Sequence, residues 1–327
     1  MTEARATVTS PATDPAAAVQ RARDGDVRVL SRLLSWVENG APELRPVLAA
    51  VAPLTGCARV LGLTGAPGVG KSTVTGALVA AYRERGLRVG VLAVDPTSPF
   101  TGGALLGDRV RMQQHATDDG VFIRSMASRG HVGGLSRATP QALRVLDAAG
   151  FDVILVETVG VGQAEVAVAS LADSTLVIVA PGLGDAIQAA KAGILEIGDV
   201  FVVNKSDKPG AQETVRDLRA MIAMAQRAEG DWKPPIVSAT AVSGEGIDDL
   251  AASIDRHWAW LDDSGERERR RQARAREEIS AIALAELRRQ LGRLPGESRL
   301  DQLARQVAAG DLDPYTAADE LIATGTA

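Results

Sequence analysis

The chain has 327 residues, 46% of them hydrophobic and 24% charged, which is enough apolar material for a large buried core. Its formal net charge of -5 comes with no basic stripe, which excludes nucleic acid as a default partner. One cysteine, Cys57, and three histidines, His115, His131 and His257, supply neither an internal disulfide nor a ligand cluster for a transition metal, and they fit a reducing compartment.

The first residues, MTEARATVTSPATDP, are small and polar, without the apolar core of a signal peptide, and a disordered tail is expected over 1–14. No stretch reaches about 18 uninterrupted apolar residues, so no membrane contact is expected and the cytoplasm is the expected location. Order is expected from Asp14, whose carboxylate can cap a helix that begins at Pro15, because proline at the first helical position loses no hydrogen bond. Helices through VQRAR, VRVLSRLLSWVENG and PELRPVLAAVAPL follow, interrupted at Gly25 and Gly40, and make an N-terminal helical segment over 15–57.

From Arg59 the pattern changes to short apolar runs: RVLGLTG, RVGVLAVD, GVFIRSM, FDVILVET, STLVIVAPG, DVFVVNKSD and PPIVSAT. Such runs read as strands buried on both faces. The amphipathic stretches between several of them, such as STVTGALVAAYRERG, give the βα alternation of a doubly wound, mainly parallel sheet. This domain spans 58–262. The charged run ERERRRQARAREEISAIALAELRRQLGRL and two shorter helical patterns then form a C-terminal helical arm over 263–327. Ligand is expected at the carboxyl ends of the strands.

Residues Gly65, Ala66, Pro67, Gly68, Val69, Gly70, Lys71 and Ser72, followed by Thr73, match the phosphate-binding pattern G-x-x-x-x-G-K-[ST] between a strand and a helix. The glycines let successive amides turn toward phosphate oxygens, Lys71 brings a point charge to the β and γ groups, and Ser72 is expected to hold Mg2+. The fold class is therefore α/β, a P-loop NTPase with N-terminal and C-terminal helical extensions.

Asn204, Lys205, Ser206 and Asp207 end a buried strand in the form N-K-x-D. Asp207 can accept two hydrogen bonds from the amino edge of guanine, whereas adenine would leave its carboxylate unpaired, a difference of about ten-thousandfold in favourable sites. Lys205 can lay its stem on the base and Asn204 can brace neighbouring loops. Downstream, a backbone amide of Ser238, Ala239 or Thr240 can meet the guanine carbonyl oxygen. The expected substrate and product are GTP and GDP, and 58–262 is read as a G domain.

Glu157 ends the strand FDVILVET and precedes Gly160, where many GTPases carry D-x-x-G. A glutamate there can hold magnesium, and the Gly160 amide can bond the γ-phosphate, so hydrolysis would release the loop. Asp95 stands at another strand end and is expected to approach the metal or orient the attacking water. Asp108 either does the same or caps a helix. Asp185 and Lys191 lie in a further glycine-bearing loop, as relay charges or as part of a solvated helix. No glutamine directly follows Gly160, Gln163 standing three residues on, and no arginine finger is identifiable. Slow intrinsic turnover is expected, open to about thousandfold acceleration by a partner.

Taken together, GAPGVGKST, VDPTSPFTGGALLGDRVRM, SRGHVGGLS, ETVGVGQAE, PGLGDAIQAAKAGILEI and NKSD resemble the MeaB/ArgK-like family of P-loop GTPases, whose human counterpart is the MMAA protein. The resemblance runs from about Val19 into the C-terminal helices. It implies a homodimeric G-protein chaperone that gates adenosylcobalamin loading of methylmalonyl-CoA mutase and protects or reactivates that enzyme. By motif it implies Lys71 and Ser72 as phosphate and magnesium residues, and Asp95, Asp108 and Glu157 as acidic metal and switch residues. Asp207 becomes the guanine reader, Lys191 part of a switch loop facing the mutase, and the C-terminal arm the dimer contact.

Other functions set against this reading are an ATP-dependent kinase or ATPase accessory to lysine, arginine and ornithine transport, a metal-delivery GTPase, and a nucleotide-gated adaptor with negligible turnover. Asp207 opposes the first, and the second is expected to carry a Cys or His cluster.

Overall fold

In the computed structural model of the chain, the described residues are 14–95, 115, 117–127, 138–158, 164–182, 194–224, 228, 230–291 and 299–325. They group into two compact units, residues 1–266 and 267–327.

The first unit is built on a seven-stranded sheet in the order β3-β2-β4-β1-β5-β6-β7. The strands are β1 (Arg59–Thr64), β2 (Val89–Asp95), β3 (Val121–Ala127), β4 (Val153–Thr158), β5 (Ser174–Val179), β6 (Val200–Asn204) and β7 (Ile236–Ala239). Every neighbouring pair is parallel. The cause lies in composition: runs such as VILVET and VFVVN are rich in β-branched residues and buried along their whole length, as a sheet covered on both faces requires.

One face is covered by α4 (Lys71–Glu84) and α9 (Ile247–Asp263), which bury Leu78, Val79, Tyr82, Leu250 and Ile254 against Leu61, Leu63, Leu155 and Ile178. The other face is covered near β2 and β4 by α5 (Thr139–Ala148) and α6 (Ala164–Leu171), and near β6 by α8 (Ala211–Met224). A four-residue helix, α7 (Ile194–Ile197), precedes β6. Each fully buried Leu, Ile or Val contributes about 1.5–3 kcal/mol.

The N-terminal helices α1 (Pro15–Arg23), α2 (Val27–Asn39) and α3 (Leu44–Val51) belong to this same unit and pack through Val19, Leu33, Leu34, Val37 and Val47 into the core cluster that holds α5. Asp14 caps α1 by accepting from the Ala16 amide at 3.1 Å, and Asp26 caps α2 by accepting from Arg28 and Val29 at 3.1 and 3.0 Å. The Val29 amide, together with Arg21, holds the Asp26 carboxyl below the ordinary carboxylate range. Arg124 on β3 donates to Ser35 at 3.1 Å and pairs with Glu38, linking α2 to the edge strand.

One expected element is divided. The helix expected through PELRPVLAAVAPL is α-helical only over Leu44–Val51 and tightens into a 3-10 turn over Ala52–Leu54. Pro53 has no amide with which to continue the α-helical ladder.

The second unit holds α10 (Glu266–Leu291) from residue 267 onward, α11 (Arg299–Ala309) and α12 (Pro314–Gly325). Leu303 and Ala317 are buried, and Arg299 pairs with Glu320 at 2.7 Å. Asp313 caps α12 by accepting from the Thr316 side chain and the Tyr315 and Thr316 amides, which hold its carboxyl low. Among the described residues no helix is long and apolar enough to cross a membrane.

Candidate functional site: a phosphate loop joined to a base-reading loop

The loop between β1 and α4 sits where the strand order reverses, since β1 lies between β4 and β5 and the chain winds away on both sides. Gly65 has φ 142, and a Cβ there would lie 2.2 Å from the Ile178 carbonyl oxygen of β5; Gly70 has φ 96, and a Cβ there would meet the Asn204 amide nitrogen at 2.4 Å. Backbone conformation and space thus both demand glycine. Lys71 is buried and donates to the carbonyl oxygens of Gly65 and Ala66 at 2.7 and 3.2 Å, which holds its ammonium over the loop where a phosphate oxygen would compete for it.

The register of β1 against β4 pairs Leu63 with Glu157, so Glu157 emerges beside the phosphate loop on the α4 side of the sheet. Glu157 as a residue is only 3% exposed. Ser72 donates to Oε1 at 2.6 Å and Thr75, one turn along α4, reaches Oε2 at 2.8 Å. Hydroxyl and carboxylate oxygens are the hard donors that Mg2+ takes, with phosphate oxygens and water completing its shell, so Ser72 and Glu157 fit that ion.

The base-reading loop is tied to the phosphate loop at two points. Asn204 is buried at the end of β6; its side chain donates to the Val69 carbonyl at 2.8 Å and accepts from the Ala241 amide at 3.1 Å. Lys205 is the positive-φ residue other than glycine among the described residues, at φ 57, a conformation that costs about 1 kcal/mol, and its ammonium donates to the Gly68 carbonyl at 2.7 Å. Ser206 donates from its amide to the Ala239 carbonyl at 3.0 Å, and its hydroxyl lies 3.1 Å from that of Thr240. Asp207 is exposed and makes no hydrogen bond or ion pair with a described residue, leaving its carboxylate open to a ligand.

The chain as a whole is similar to known proteins. The family model described as Methylmalonyl Co-A mutase-associated GTPase MeaB matches residues 30–293. The chain belongs to the MeaB family of GTPases. A putative GTPase of Pyrococcus abyssi is 46% identical over 306 residues, covering 93% of this chain and 94% of that protein. The mitochondrial methylmalonic aciduria type A homolog of Caenorhabditis elegans is 33% identical over 269 residues, covering 81% and 67%. Among solved structures, one described as a LAO/AO transport system kinase superposes with a TM-score of 0.72 at 28% identity, covering 98% of this chain and 100% of that one.

In this MeaB-family GTPase the fold thus brings together Gly65 to Thr73, Glu157, and the loop of Asn204, Lys205 and Asp207 with Ser238, Ala239 and Thr240. Thr73 and Ser238 are exposed and Ala239 is buried. The Thr240 amide donates to the Glu245 carbonyl at 2.9 Å within its own loop. Asp95 ends β2, in register with Ala127 of β3; its side chain lies outside the described residues, as do Asp108, Gly160, Gln163, Asp185 and Lys191. Thr75 went unmarked by motif reading because it stands outside the eight-residue pattern. Its spacing of three from Ser72 was the available signal, since such residues share a helix face.

Proposed function

We propose that this chain is a GTP-hydrolysing chaperone that gates adenosylcobalamin loading of methylmalonyl-CoA mutase and protects or reactivates that enzyme. The observation that carries the switch is the bond from Ser72 to Glu157 at 2.6 Å, which couples the end of β4 to the phosphate site. The family description names the mutase, and this supports the choice of partner.

In this reading the amides of Gly65 to Gly70 cradle the triphosphate, and Lys71 leaves the loop carbonyls for its β and γ groups. Ser72 and Glu157, with Asp95 and Asp108, hold Mg2+, which would neutralise charge developing on the phosphates. Asp95 orients the attacking water, and the Gly160 amide bonds the γ-phosphate until hydrolysis removes it. Asp207 selects guanine, while Asn204 and Lys205 keep the base loop fixed against the phosphate loop.

The C-terminal arm serves as the contact of a homodimer. On α10 the large apolar residues Ile279, Ile282, Leu284 and Leu287 are at least half exposed, apolar area that a second copy would remove from water. The expected compartment is the cytoplasm.

Hydrolysis of GTP and ATP, with and without purified adenosylcobalamin-dependent mutase, tests the proposal. The expected result is GTP turnover that the mutase accelerates; ATP turnover with phosphate passed to another protein would overturn it.

A further inference from the structure

Thr75 stands in the interior of α4 with its side chain fully buried. A threonine there lowers helix propensity by about half a kcal/mol relative to alanine, and its hydroxyl must find a partner in a dry environment. Two acceptors are within reach: the Lys71 carbonyl at 3.0 Å, four residues back, and Glu157 Oε2 at 2.8 Å. The hydroxyl has one hydrogen, and the carboxylate is the stronger acceptor. Ser72 meanwhile donates to the other oxygen, Oε1, at 2.6 Å. Each of these donors restricts rotation of the carboxylate about its terminal torsion, which is broad in glutamate. Two donors from one helix face, one on each oxygen, fix its plane.

We infer that Thr75 is a positioning residue for the magnesium site: it holds the Glu157 carboxylate in the orientation that the ion requires, without itself touching nucleotide or metal. The inference rests on the proposed nucleotide site and assigns to it a residue beyond the phosphate-loop pattern. Groups that orient metal ligands typically contribute ten- to a hundredfold in metal affinity. The alternative acceptor at Lys71 gives the hydroxyl a partner if Glu157 moves away, so releasing the carboxylate does not strand a buried donor.

The experiment is a MgCl2 titration of the full chain, reading the dissociation rate of N-methylanthraniloyl-GDP, for wild type, Thr75→Val and Thr75→Ser. Valine keeps the volume and removes the hydroxyl, whereas serine restores the hydroxyl. The expected result is that Thr75→Val needs about tenfold more Mg2+ to slow dissociation, that Thr75→Ser returns close to wild type, and that all three release the nucleotide alike in EDTA. Thr75→Val with the wild-type Mg2+ requirement overturns the inference. So does equal weakening in both variants, which would assign the effect to disturbed packing around α4, since serine keeps the hydroxyl that valine lacks. If the wild type itself binds the nucleotide without Mg2+ dependence, the proposed metal site fails first, and that outcome is distinct from failure at Thr75 alone.

Discussion

The side chain of Asn204 donates to the Val69 carbonyl oxygen at 2.8 Å, fastening the base-reading loop to the phosphate loop across 135 positions of sequence. The same side chain accepts from the Ala241 amide, so three loops converge on one buried amide group. Such a junction makes base recognition and phosphate binding interdependent, because neither loop can shift without breaking a bond in the interior. Replacing Asn204 with alanine should strand the Ala241 amide and leave the Val69 carbonyl without its donor. The expected cost is about 1–3 kcal/mol in stability, with GDP affinity lower by about tenfold or more. Thermal melting and calorimetry with GDP check this; an unchanged midpoint with unchanged affinity would contradict the junction.

Asp207 should behave differently, because its carboxylate is exposed and makes no bond to a described residue. Asp207→Asn is expected to fold with wild-type stability while GDP affinity falls by about a hundredfold or more, since its amide nitrogen meets the guanine amino edge donor to donor. Xanthine, which carries a carbonyl where guanine has its amino group, should be the preferred base of this variant. Competition between GDP and XDP is the measurement.

A stability effect distant from the nucleotide is expected at Asp147. Its carboxylate accepts from three successive amides, Gly56 at 2.6 Å, Cys57 at 3.2 Å and Ala58 at 2.9 Å, and so pins the chain that leads from the N-terminal helices into β1. Asp147→Ala should lower unfolding free energy by about 1–2 kcal/mol. Denaturant titration reads it, and nucleotide affinity of the folded fraction should not move.

The pair of Arg83 and Asp118 carries a pH dependence with a definite sign. Arg83 donates to both oxygens at 2.8 and 2.9 Å and the Gly120 amide donates at 2.8 Å, so the Asp118 carboxyl is held below its ordinary value of 3.8, first by Arg83 and then by the amide. A folded pKa below the unfolded one means a contribution complete above 3.8 and lost as pH falls through the folded value. The melting-temperature gap between wild type and Asp118→Asn should therefore be largest at about pH 5–7 and close below about pH 4. A gap that persists unchanged into acid would assign the effect to packing.

Much of this molecule is legible along the chain. The strands are readable because a parallel sheet buried on both faces leaves unbroken apolar runs such as VILVET, and the phosphate loop because its glycines are demanded by backbone geometry that no other residue meets. Less legible is where the α-helix through Leu44–Val51 gives way to a 3-10 turn, since boundaries depend on which amides find partners. Nor does sequence show that the Thr240 amide closes its own loop on Glu245, a pairing set by the turn and not by either residue type.

What the sequence by itself determined is the α/β class, the order of strands and helices, and the residue types able to grip phosphate and read guanine, because these follow from periodicity, glycine placement and donor chemistry over a few neighbouring positions. Only the tertiary structure decided that Glu157 lies against Ser72 and Thr75, 85 and 82 positions away, and that Asn204 joins three loops. Those contacts depend on sheet register and on which helix covers which face, and both are settled by how the whole core packs.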